Sequence, residues 1–81
     1  MSIRVLFFAS MADATGMRET AVKASGFSDI ASIYEHFARH FPLLNDYRAS
    51  VLYAVNNDFA GPDTPVRDGD EVAFFPPVSG G

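Results

Sequence analysis

Residues 28–41 carry the pattern that narrows the choice of fold most. Ile30, Ile33, Tyr34, Phe37, Ala38 and Phe41 fall at i, i+3, i+4, i+7, i+8 and i+11, a single apolar stripe along one helix. Ser28 is placed to cap that helix, and Asp29 brings negative charge into its first turn, where the dipole favours it. Glu35 and Arg39 lie off the stripe at a favourable i,i+4 spacing, and Pro42 cannot continue the helix. The rest of the chain reads as strands and turns. Ile3 to Phe8 is a near-continuous apolar run, as expected of a central strand covered on both faces or nearly so. MADATG, residues 11–16, predicts a loop or one helical turn closed by glycine. Glu19 to Ala24 alternates polar and apolar residues, so the two strands form a hairpin. Val51 to Val55 predicts a further strand, Asn56-Asn57-Asp58 a turn, and Phe59-Ala60 a brief pairing. Asp68-Gly69-Asp70 turns the chain into a last strand, Glu71 to Phe75. Pro76 and Pro77 then remove two backbone donors and end the ladder. The order is β-β-α-β-(β)-β. One helix with one stripe can cover one face of a four- or five-stranded sheet, which is the two-layer α+β solution. With 81 residues there is room for one domain only, and 48% hydrophobic residues are enough to build its core.

Several function classes are disfavoured by composition. The chain has no cysteine, which excludes disulfides, thiolate metal sites and thiol redox chemistry, and which suits a cytoplasmic protein. The apolar run Val5 to Ala9 is too short for a signal-peptide core, and no stretch approaches the length of a membrane span. A net charge of -4 with six dispersed cations argues against nucleic acid and for partners with basic surfaces.

The groups that could carry chemistry mostly have plain structural explanations. His36 and His40 share one helix face at the spacing used by zinc sites, but no third ligand stands at a defined spacing from them. Asp68, Asp70 and Glu71 crowd around a glycine without the longer frame and closing bidentate acid of a calcium loop. Ser79 sits on a terminal segment that lacks the rigid placement a nucleophile needs. Lys23 is the sole lysine, and no glycine-rich loop precedes a helix in the phosphate-cradling pattern. No cofactor or metal is expected to be stably bound.

What remains is FFPPVSGG. Pro76-Pro77 favours an extended conformation that projects the following residues away from the sheet. Val78 offers one apolar contact beside Ser79, and Gly80-Gly81 is a thread only a backbone wide, ending in an α-carboxylate. A partner could enclose such an arm in a channel too narrow for any Cβ.

Over essentially its whole length the chain resembles the small, sulfur-carrying subunits of molybdopterin synthase, a family with the ubiquitin-like β-grasp fold. VLFFA (residues 5–9), ADATG closing on Gly16, AVN (residues 54–56) and above all DGDEVAFFPPVSGG (residues 68–81) match in order and spacing. The first loop departs at Ala12, where family members often carry a charged residue. Carriers of the thiamine pathway share the fold and the Gly-Gly end but usually lack the FFPPV lead-in. The resemblance implies a β-grasp domain over residues 1–75 and an extended tail over 76–81. It implies that an E1-like activating enzyme consumes ATP to adenylate Gly81, after which a sulfurtransferase supplies sulfur and a thiocarboxylate results. It implies insertion of the tail into the synthase large subunit, within a heterotetramer, where the sulfur passes to cyclic pyranopterin monophosphate. Gly80 would be the first place a side chain clashed in threading. Phe7, Phe59 and Phe75, with Pro76, Pro77, Val78 and Ser79, would dock on the partners, although core packing is the alternative for Phe7 and Phe59. A thiamine-type carrier and a ubiquitin-like modifier that forms isopeptide bonds are the alternatives of the same fold, and a plain binding module with an idle tail is the alternative outside it.

Overall fold

The computed structural model describes residues 1–77, and its first and last strands lie side by side at the middle of one sheet. In chain order the elements are β1 (Ser2–Phe7), α1 (Ser10–Thr15), β2 (Glu19–Lys23), α2 (Ile30–His40), β3 (Leu52–Val55), β4 (Asp58–Ala60) and β5 (Glu71–Phe75). The sheet order is β2-β1-β5-β3-β4. β1 and β5 run parallel, with Val5 beside Val72 and Phe7 beside Phe74, and the other three pairings are antiparallel. A parallel pair needs a long crossover, and residues 8–70, which contain α2, supply it.

Alternation along the strands decides what is inside. Ile3, Val5 and Phe7 of β1 and Val72 and Phe74 of β5 are buried on one face. Ile30, Ile33, Tyr34, Phe37 and Ala38 of α2 close over them. Phe7 meets Phe37 edge-on at 5.1 Å, and Tyr34 meets Phe74 at 5.2 Å, geometries that aromatic quadrupoles favour. The Tyr34 hydroxyl donates to the Leu44 carbonyl, so this buried phenol keeps a partner.

Three expectations are corrected. Because α2 covers only one face of the sheet, β1 is buried on alternate residues and not on both sides, and Arg4 is exposed. The helix is capped by Asp29, whose carboxylate accepts from the Ser32 amide at 2.9 Å, and not by Ser28. The next free amides, of Ile30 and Ala31, donate to the carbonyls of Thr64 and Pro62, so a distant loop completes the cap. Glu35 pairs with Arg48 at 2.6 Å instead of Arg39, because a 3-10 segment, Pro42–Tyr47, carries Arg48 back alongside the helix. That segment has no counterpart in the sequence reading.

Candidate functional site: the open face of the sheet and the root of the tail

Among the described residues no helix covers the face of the sheet turned away from α2. The residues of that face are those out of phase with the core: Leu6 and Phe8 from β1 and its continuation, Ala73 and Phe75 from β5, Leu52 and Ala54 from β3, and Phe59 from β4. Register pairs Leu52 with Phe75, Ala54 with Ala73, and Ala54 with Phe59. The small residues at 54 and 73 make a low floor between large neighbours. Phe75 stacks on Phe8 at 4.6 Å with the rings only 9° from parallel, and Phe59 lies 6.0 Å from Phe75 on the other side. Phe8 is 41% exposed and Phe59 78%. Three aromatic rings therefore cross the sheet in a row, open to solvent, at the end from which the tail departs. Such a row on a small domain marks a binding surface.

Of the two readings left open for Phe7, the structure takes the core: its ring is 3% exposed and packs on Phe37 and Phe74. Phe8, which the sequence reading passed over as a functional residue, holds the outward place. The signal lay in the alternation, since Ile3 and Val5 fix the inward phase and Phe8 falls out of it. Phe59 is exposed, and Phe75 is half-buried under its neighbours. Pro76 and Pro77 follow Phe75 directly and belong to no strand. Val78, Ser79, Gly80 and Gly81 lie outside the described residues.

Below the aromatic row the same face turns polar. Arg4 holds Glu19 through two hydrogen bonds, at 2.8 and 3.1 Å, and approaches Glu71 at 3.3 Å. The hydrogen bond from Arg4 keeps the Glu19 carboxyl below its usual range, and the same contact raises the Arg4 guanidinium. Both side chains are open to water, so the pair contributes little to stability and serves to keep this half of the face charged. A groove of about 700 Å³, lined by Arg4, Leu6, Phe8, Ala9, Asp13 and Arg18 among others, runs from this ion pair to the aromatic row.

Among the described residues no group of three metal-ligating side chains converges. The rings of His36 and His40 stand 5.2 Å apart, and His36 meets the edges of Phe27 and Phe37. The carboxylates around Gly69 are used structurally. Asp70 accepts from the Arg67 amide and the Asn56 side chain, and Asn56 in turn accepts from the Glu71 amide. Lys23 is exposed at the far end of β2, beside Ser2. No helix among the described residues is long and apolar enough to cross a membrane. Among the described residues the site is an exposed aromatic row beside the end of β5, next to a charged patch formed by Arg4, Glu19 and Glu71.

Comparison with known proteins agrees with this anatomy. The model of the ThiS family matches residues 5–81. The chain is 42% identical to the molybdopterin synthase sulfur carrier subunit of Escherichia coli, over 98% of this chain and 99% of that one. The crystal structure of SAMP1 from Haloferax volcanii superposes with a TM-score of 0.78 at 26% identity, covering all of both chains. The fold also matches, at TM-score 0.66 and 24% identity over all of both chains, a chain in the complex of subunits 1 and 2 of molybdopterin-converting factor from Helicobacter pylori.

Proposed function

The chain belongs to the ThiS family, and from that premise we propose that it is the sulfur carrier subunit of a molybdopterin synthase, with Gly81 as the residue that is loaded and unloaded. The observation that carries this reading is where the central strand β5 ends. Phe75, its last residue, lies within an exposed aromatic row, and Pro76 follows directly, so a protein that grips the row meets the chain where the C-terminal residues begin.

The chemistry follows from what a carboxylate cannot do. It is a poor acyl donor because its leaving group would be oxide. Attack of the Gly81 carboxylate on the α-phosphorus of ATP, within the activating enzyme, expels pyrophosphate and leaves an acyl adenylate. The terminal sulfur of a persulfide on a sulfurtransferase then attacks the acyl carbon and displaces AMP. A thiol cleaves the resulting acyl disulfide at its S–S bond, leaving a mixed disulfide on the sulfurtransferase side and one sulfur in place of one oxygen on Gly81. A chain without cysteine has no thiol on which to hold sulfur, which leaves the carbonyl as the place for it. The resulting thiocarboxylate is an anionic, soft nucleophile at the tip of an uncharged arm, and a basic pocket in the large subunit suits it. There the sulfur passes to cyclic pyranopterin monophosphate. Residues 1–75 act as the grip and residues 76–81 as the arm, with Phe8, Phe59 and Phe75 at the contact.

Intact mass spectrometry after incubation with ATP, a sulfur source and the cognate activating enzyme tests this reading. The chain must gain the mass difference between one sulfur and one oxygen, and Gly81→Ala must support little or no sulfur transfer in the reconstituted synthase while its circular dichroism is unchanged. Full activity of Gly81→Ala would remove the threading argument. Conjugates on target lysines, seen as ladders on a denaturing gel, would mark a protein modifier instead.

A further inference from the structure

The backbone at Ala9 breaks a local rule, and it does so beside the aromatic row. Ala9 has φ 52° and ψ -127°. It is the first central residue of a reverse turn closed by the Met11 amide on the Phe8 carbonyl at 3.1 Å, a position with positive φ that glycine normally fills. A residue with a Cβ is held there only when its surroundings over-determine it. The other non-glycine residues with positive φ among those described are Asn56 and Asn57, in a hairpin turn of the kind asparagine tolerates. Packing does not explain alanine at position 9. Its side chain is exposed and faces the groove, so glycine would cost no core contact.

We propose that Ala9 is a positioning residue, whose restricted backbone holds Phe8 on Phe75 and so keeps the aromatic row assembled before a partner arrives; the docking role rests on the function proposed above. Phe8 is clamped from both sides. Its amide donates to the Phe74 carbonyl at 3.2 Å, and its carbonyl accepts from Met11 across the turn that Ala9 makes. The Ala9 carbonyl takes the amides of Ala12 and, more weakly, Asp13, which ties the turn into α1. The strain at Ala9 is thus balanced by bonds on either side of Phe8. Glycine would relieve the strain but reopen alternative backbone conformations at position 9, and those that open the turn give up the Met11 bond and loosen the Phe8 ring. Alanine keeps one conformation at the expense of stability, a trade that places rule-breaking residues at functional sites.

Two variants separate strain from restriction. Ala9→Gly removes both. A synthetic chain with D-alanine at position 9 removes the strain alone, because the mirror image of the Ala9 angles lies in a favourable extended region for the opposite hand. The measurements are thermal unfolding, the ring-proton chemical shifts of Phe8 and Phe75 in the free chain, and calorimetric affinity for the cognate large subunit. The D-alanine chain is expected to melt about 4–8 °C higher than the natural one, with ring shifts and affinity unchanged. Ala9→Gly is expected to fold with undiminished melting temperature, to lose the mutual ring-current shifts, and to bind about threefold to tenfold more weakly, the effect of ordering one side chain on binding. If Ala9→Gly keeps both its ring shifts and its affinity, the proposal is overturned while the carrier function stands. If the natural chain fails to bind the large subunit at all, the carrier function is lost and the docking role of Ala9 with it.

Discussion

Phe74 and Phe75 are adjacent, chemically identical and on opposite faces of β5, which makes the division between folding and docking testable one side chain at a time. Phe74 is fully buried against Tyr34 and Tyr53, whereas Phe75 touches Phe8 and Phe59 on the open face. Phe7 and Phe8 repeat the contrast one strand away. Phe7→Ala should destabilise by about 3–5 kcal/mol, as full truncation of a core aromatic does, a large share of what holds so small a domain. Phe75→Ala removes a ring at the centre of the aromatic row and should cost about 2 kcal/mol or more in binding the large subunit, with a smaller loss of stability. Urea unfolding and titration calorimetry on both variants check the contrast. Unaltered affinity of Phe75→Ala would take that residue out of the interface. The neighbouring Phe8 shows why the outward ring at this end of β1 was hard to read from sequence. Two consecutive phenylalanines at the end of an apolar run give no phase of their own, and only the burial of Ile3 and Val5 assigns one.

At the scale of elements, α2 and its surroundings supply two further expectations. Asp29 satisfies the Ser32 amide at the start of the helix, so Asp29→Ala should cost about 1 kcal/mol and lower the melting temperature by about 4–8 °C. Calorimetric unfolding at neutral pH reads this directly. In the middle of α2, burial pushes the Tyr34 phenol from 10.0 up to about 12. The folded chain therefore holds this proton more tightly than the unfolded chain. The stability that difference contributes is complete below pH 10 and falls as pH rises from about 10 to about 12, because only the unfolded phenol ionises in that window. Tyr34→Phe loses the hydrogen bond to Leu44 but should flatten the stability profile between those limits, as denaturant midpoints measured across that range would show. The helix itself was legible because its stripe has a single period, and the strands because they are bounded by Gly, Pro and Asn turns. The parallel pairing of β1 with β5 was not, since no local pattern reports a contact between residues nearly seventy positions apart. Nor was the Pro42–Tyr47 segment, which tertiary contacts with α2 hold in place and which carries no periodic stripe. The end of β5 at Pro76 and Pro77 was legible in its residue types, whereas the aromatic row beside it depends on register and appears only when the sheet is assembled.

For the whole molecule, the decisive quantity is the size of the docking face. From β1 to β4 it spans three strand spacings, about 14 Å, and its length along the strands is about 17 Å. Its area is therefore on the order of 200–300 Å², well short of the roughly 800 Å² per partner in a stable interface. A partner that binds the carrier firmly must add the arm to the face, and residues 76–81 can reach about 20 Å when extended. On the proposed reading, the large subunit and the activating enzyme both need the tip of that arm, one to unload Gly81 and one to load it, so both cover the face at its root. One carrier then serves one client at a time, and release from the activating enzyme must precede sulfur delivery. Adding the large subunit in excess should inhibit adenylation of Gly81 in proportion to its occupancy of the carrier. Sedimentation of all three proteins together should show two binary complexes and no ternary one. Arg4 and Glu19 lie on the charged half of the same face, so Arg4→Glu should weaken the two binary complexes to different extents if the partners differ in the charge they set against it. A stable ternary complex would mean that the two clients grip different surfaces, and the aromatic row would then belong to only one of them.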